Sequence, residues 1–258
     1  MPTAFINGIN IFYEDHGGGF PVLMSHGYSA TGRMWAPQVE ALHPRYRLIS
    51  WDMRGHGQTD SPESVDQYSK ELTVADMRGL LEHLGIREAV VGGLSMGGYM
   101  SLAFYLRHPQ MVRALVLSDT GPGYRKDEAR ETWNRMAEER ARAFEEQGLD
   151  ALGAGAEVRA SALYHRSARG LALSARGMLA MFGSHVIDAL PDIRVPTLVI
   201  VGENDQPFLA ATDYMAAKIP GARKAVIKGA GHAANIERAE TFNAVLLEFL
   251  DGLGLGDA

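Results

Sequence analysis

Gly93-Leu94-Ser95-Met96-Gly97, followed by Gly98, sets one hydroxyl among small residues. The apolar run Ala89-Val90-Val91 before it reads as a strand, and Met96 to Arg107 after it as a helix. A strand that reverses sharply into a helix leaves no room for side chains at 93 and 97 and strains the residue between. The hydroxyl then projects above the strand end, where free N–H groups of the helix start face it. That is the setting of a nucleophilic serine. A phosphate loop does not fit, because its Lys-Ser/Thr pair is missing.

A serine attacks a carbonyl only when a base takes its proton. Of nine histidines, His232 is the best placed. It stands in Gly229-Ala230-Gly231-His232, after the predicted strand Ala222 to Ile227 and before a predicted helix over 239–250. Loops at strand ends are where parallel α/β sheets collect reacting groups. The base needs an orienting acid, and two aspartates at strand ends lie between 95 and 232. Asp205 follows Thr197–Val201 in Gly202-Glu203-Asn204-Asp205, and Asp119 follows Ala114–Leu117 in Ser118-Asp119-Thr120. Asp205 is preferred because its turn lies one strand from the His232 loop; Asp119 stands as the alternative acid. Charge developing on the attacked oxygen needs two N–H donors. The Met96 amide follows the nucleophile directly. The Tyr28 amide is the second, on the loop His26-Gly27-Tyr28 after the strand Pro21–Ser25, with His26 as a brace.

The elements that must position these residues are legible in turn. Residues 4–14 alternate around Asn7-Gly8, which predicts a hairpin at a sheet edge. Short continuous apolar strands then alternate with amphipathic helices, as in a mostly parallel sheet covered on both faces. Residues 122–191 break the pattern: they read as helices over Glu131–Gln147, Gly155–Tyr164 and Ala168–Met181, with no strand. The expected organisation is a core of 1–121 and 192–258 with a helical insertion of 122–191. The chain has 29 glycines, and the excess gathers at the strand-end loops carrying Gly27, Gly55, Gly93, Gly97, Gly202 and Gly231.

Composition narrows the chemistry. The 258 residues include no cysteine, which removes thiol nucleophiles and zinc-thiolate sites, and no metal or other cofactor is called for. A net charge of −6, with 25 basic and 31 acidic residues, argues against nucleic acid as a partner. No stretch approaches a bilayer span, and the first residues lack the basic and apolar segments of a signal peptide. The expectation is a cytoplasmic protein with no membrane partner. Monomer and homo-oligomer stay equally open.

Taken together, these motifs resemble an α/β-hydrolase of the esterase/lactonase type over nearly the whole chain. His26-Gly27 is similar to that family's oxyanion loop, Asp52-Met53-Arg54-Gly55-His56-Gly57 to its D-x-R-G-x-G brace, and Gly93–Gly97 to its nucleophile turn. Gly202–Asp205 and Gly231-His232 resemble its acid and base loops, which strengthens Asp205. The resemblance implies an eight-stranded, mostly parallel sheet with helices on both faces, and 122–191 as its cap. It also implies hydrolysis of a small-to-medium carboxylic ester through an acyl-enzyme. Serine at 95 argues against epoxide hydrolases and haloalkane dehalogenases, and Gly93 against carbon–carbon bond hydrolases. An enol-lactone such as 3-oxoadipate enol-lactone is the alternative substrate; cofactor-free haloperoxidase or perhydrolase activity and a non-enzymatic receptor are the other readings. Trp133, Met136, Met178, Met181, Phe182 and Phe208 are the expected pocket residues. Cap arginines (Arg125, Arg130, Arg135, Arg159, Arg166, Arg169, Arg176) are available to a substrate carboxylate, although neighbouring acids balance them.

Overall fold

The structure, a computed structural model, describes residues 2–255. Asn7 and Gly8 both take positive φ (48° and 82°), the mirror-image turn that suits the right-handed twist of a hairpin. They join β1 (Thr3–Ile6) to β2 (Ile9–His16), which pairs antiparallel with β4 (Tyr46–Trp51). From there the sheet is parallel: β3 (Phe20–Ser25), β5 (Ala89–Leu94), β6 (Val112–Ser118), β7 (Thr197–Gly202) and β8 (Arg223–Ile227). The order is β1-β2-β4-β3-β5-β6-β7-β8. This is the eight-stranded α/β-hydrolase sheet, with the hairpin at its edge.

Side chains of the central strands alternate between two cores. Val22, Val90, Val116 and Ile200 face α1 (Ala36–Leu42) and α10 (Ala239–Gly252). Leu23, Val91, Leu115 and Val199 face α2 (Lys70–His83), α3 (Met96–Arg107) and α8 (Gln206–Lys218). Burial on both faces explains why these strands read as unbroken apolar runs.

All the helical structure between β6 and β7 comes from one stretch of chain. It holds α4 (Asp127–Gln147), α5 (Ala156–Ser161), α6 (Ala168–Ser174), which passes into a π-helical turn over Ala175–Leu179, and α7 (His185–Asp188). Ala137, Ala141, Phe144 and Leu171 join this stretch to the α2/α3 core. A short α9 (Ala234–Glu237) precedes α10. Among the described residues, no helix is long and apolar enough to cross a membrane.

The chain leaves β3 toward β4 on one side and β5 toward β6 on the other. The crevice between β3 and β5 is therefore a topological switch point, where α/β sheets bind ligands beyond the strand C-termini.

Candidate active site

Ser95 lies at that point, between β5 and α3, with φ 54° and ψ −117°. The glycines around it are there for space. A Cβ on Gly93 would come within 2.6 Å of the Ser25 carbonyl oxygen, and one on Gly97 would strike the Ser25 and His26 carbonyls. Strain of this kind persists only where the surroundings over-determine it. The Ser95 N–H donates to Ser118 O (3.0 Å), and Thr120 Oγ1 donates to Ser95 O (2.6 Å). The same lateral bonding continues across the sheet: the Asp119 N–H donates to Ile200 O (2.8 Å) and the Glu203 N–H to Ile227 O (3.0 Å).

His232, on the loop after β8, shares its Nδ1 with Asp205 Oδ2 at 2.8 Å, and its ring stacks on Phe208. Burial by itself would depress this imidazole. The Asp205 hydrogen bond and charge, with smaller electrostatic contributions from Asp119 and Glu157, outweigh burial and raise its pKa above the ordinary value. Ser95, Asp205 and His232 line one cavity. Among the described residues, Ser95 Oγ makes no direct hydrogen bond to His232; such contacts commonly tighten only when substrate binds.

Asp119 sits behind this pair. Its oxygens accept from the Gly202 N–H and Ser118 Oγ, both at 2.8 Å, and burial pushes its carboxyl up to about 8. Asp119, Asp205 and His232 bring donor atoms within 4.8 Å of one another, a spacing also open to a cation. Both Asp119 oxygens and Asp205 Oδ2 are already engaged by neighbouring groups. The imidazole bond goes to Asp205, the first choice from the sequence, and not to Asp119.

The loop after β3 abuts the serine: a Cβ on Gly27 would lie 3.5 Å from Ser95 Cβ. His26 fixes its conformation. The Met53 N–H donates to His26 Nε2 (2.9 Å), so the proton is on Nδ1, which donates to Gly27 O (2.7 Å). In a trans peptide the Tyr28 N–H points opposite to that carbonyl. The Met96 N–H, at the first position of α3, is free of any intrahelical acceptor. The buried His26 ring is held down at about 3, chiefly by burial, and stays neutral. Beneath this loop, Asp52 accepts from the Gly32 N–H (2.8 Å), and Arg54 makes a buried two-pronged bond to Asp76 (2.7 and 2.8 Å).

Two spaces meet at Ser95. An apolar cavity of about 280 Å³ is lined by Met96, Tyr99, Trp133, Met178, Met181 and Phe208. A second, of about 470 Å³, holds Tyr28, Met136, Arg140, Glu157, Asp205 and His232. Five of the six expected pocket residues thus face one space or the other. Phe182 does not: it is 67% exposed and lines neither cavity. Ala180 turns extended as the chain leaves the π-helical turn; the Met181 N–H bonds to Asn134 Oδ1 and its side chain lines the apolar cavity, while Phe182 stays outside. Arg140 and Glu157 were not singled out from the sequence. Arg140 follows Trp133 and Ala137 at helical spacing on α4 but is itself exposed, at the edge of that face.

Comparison with known proteins bears on the fold. The family described as alpha/beta hydrolase fold matches residues 21–181. The chain belongs to that family. It is 30% identical over 253 residues, 90% of each chain, to a Bacillus subtilis (strain 168) protein named as a putative 2-succinyl-6-hydroxy-2,4-cyclohexadiene-1-carboxylate synthase. The enol-lactonase from Burkholderia xenovorans LB400 superposes with a TM-score of 0.82 at 29% identity, covering 97% of this chain and 100% of that one. A thermophilic esterase from Thermogutta terrifontis gives 0.85 at 28%, covering 98% of both. One of these α/β-hydrolase relatives is named as a synthase, so the fold alone does not fix the reaction.

Proposed function

We propose that the protein hydrolyses small-to-medium carboxylic esters through a serine acyl-enzyme. The observation carrying this reading is the 2.8 Å His232–Asp205 bond in the same cavity as a serine held at positive φ between strand and helix. Ser95 Oγ bonds to the carbonyl carbon while its proton passes to His232 Nε2, and Asp205 holds the resulting imidazolium. The tetrahedral oxyanion accepts from the Tyr28 and Met96 amides. Collapse breaks the bond to the alcohol, which leaves with the proton from His232. Water then repeats the cycle, releasing the acid and restoring Ser95. The helices over 122–191 act as the cap that closes the apolar cavity around the acyl chain.

Hydrolysis of an enol-lactone is the second reading. A lactone is a cyclic ester and takes the same steps, and the Burkholderia enol-lactonase favours it by its likeness in fold. Mass spectrometry under rapid acid quench tests both: turnover of p-nitrophenyl butyrate should add one butyryl group to Ser95. A protein that turns over without any acyl-serine adduct would overturn the mechanism.

A further inference from the structure

Nine arginines lie between residues 122 and 191, and eight of them are engaged by side-chain or carbonyl oxygens. Arg140 is the exception: among the described residues it has no hydrogen bond and no ion pair, and it lines the second cavity. Glu157 lines the same cavity from α5. It is only 8% exposed, and its carboxylate folds back over Gly155 with neither a hydrogen bond nor an ion pair among the described residues. The residue is largely covered by protein, while its carboxylate oxygens stay open to the cavity. Arg140 and Glu157 form no ion pair with each other, so an exposed cation and a largely covered carboxylate face one space, each without an ion-pair partner among the described residues.

The chemistry of Ser95 gives that space a role. His232 lines the second cavity and not the apolar one. Since His232 returns its proton to the departing oxygen, the leaving alcohol belongs on this side, and the acyl chain in the apolar cavity beside Met96. A purely cationic alcohol would meet Glu157 but be repelled by Arg140; a purely anionic one faces the reverse conflict. We propose that the second cavity receives a zwitterionic leaving group, an alcohol bearing both an ammonium and a carboxylate, with Glu157 taking the first and Arg140 the second. This assignment rests on the serine-hydrolase reading above.

Four butyrate esters separate the charges at pH 7: O-butyrylhomoserine carries both, 3-aminopropyl butyrate the ammonium, 4-butyryloxybutanoate the carboxylate, and propyl butyrate neither. The wild-type kcat/KM for the first should exceed that for the last by about tenfold or more. Glu157→Gln should lower the ratio of the ammonium ester to propyl butyrate by about tenfold and raise the ratio for the carboxylate ester. Arg140→Gln should do the opposite. Ratios that stay at wild-type values, or fall together in both variants, would overturn the assignment, since a merely structural role gives no crossed pattern. Turnover of propyl butyrate that survives Ser95→Ala would instead sink the hydrolase reading. Independently of turnover, the Ser95→Ala protein should bind homoserine more tightly than 4-hydroxybutanoate or 3-aminopropanol by calorimetry; equal binding counts against the site.

Discussion

The two walls of the cavity are held in different ways. On the sheet side, His26, Asp52 and the Arg54–Asp76 pair are buried and bonded to backbone, to each other or, for Asp76, to the Asn7 amide. On the helical side, Arg176 joins Glu138 and Glu145 through partly exposed ion pairs, and Trp133 Nε1 donates to Leu179 O (2.8 Å). The walls meet through a few buried bonds. The Tyr28 hydroxyl donates to Leu171 O (2.9 Å), His165 Nε2 to Ser29 O (2.9 Å), and the Thr31 N–H to Ser161 Oγ (2.9 Å). Buried, bonded groups fix geometry, whereas exposed ion pairs contribute little energy and tolerate exchange. The sheet wall is therefore the more rigidly set of the two, and the helical wall the more exchangeable.

The largest effect should come from the sheet wall. Ser95→Ala should lower kcat/KM by about 10⁴-fold or more with the circular dichroism spectrum retained. Next, Asp205→Asn should cost about 10³- to 10⁴-fold, because the imidazole loses its orienting acceptor, while Asp119→Asn should cost about tenfold or less. The reverse ranking would reassign the acid. The pH profile follows the same logic: activity falls as pH drops through a His232 pKa held above 6.5, and Asp205→Asn should move that limb to lower pH.

The junction between the walls should respond to acid. His165 Nδ1 accepts from the Gly57 N–H (3.1 Å) while its Nε2–H donates, so the buried ring must be neutral; burial lowers its pKa below 6.5. A depressed folded-state pKa adds stability that is fully present above 6.5 and lost as pH falls below it. His165→Gln should lower Tm by several degrees at pH 8 and by less at pH 5. An equal loss at both values would break the argument. Arg176→Ala should be the mildest change, about 1 kcal/mol or less in a denaturant titration.

Ser95 and Asp205 were legible because each follows a continuous apolar strand with a glycine two or three residues away, and His232 because it follows Gly231 on the loop after the last strand. The strands were legible for the same reason, although β5 runs on to Leu94 through Gly92 and Gly93, which local preference marks as a turn. Gly92 has no room for a side chain against Val116, so sheet packing overrides that preference. The helical wall was harder to read. A charged residue that lines a cavity from the edge of a helix face, as at Arg140, is indistinguishable in sequence from one that is merely solvated. The π-helical turn that ends at Leu179 sets which of Met181 and Phe182 turns inward, and no residue pattern announced it.

The bonds from Ser95 to Ser118, Asp119 to Ile200 and Glu203 to Ile227 carry the sheet ladder one residue into the loops. Those amides should exchange with deuterium as slowly as the central strands, not at the rate of surface turns. If they do, the turns at Ser95, Asp119 and Glu203 have no local opening of their own. Warming would then leave them aligned until the whole sheet melts, and heat inactivation would coincide with unfolding.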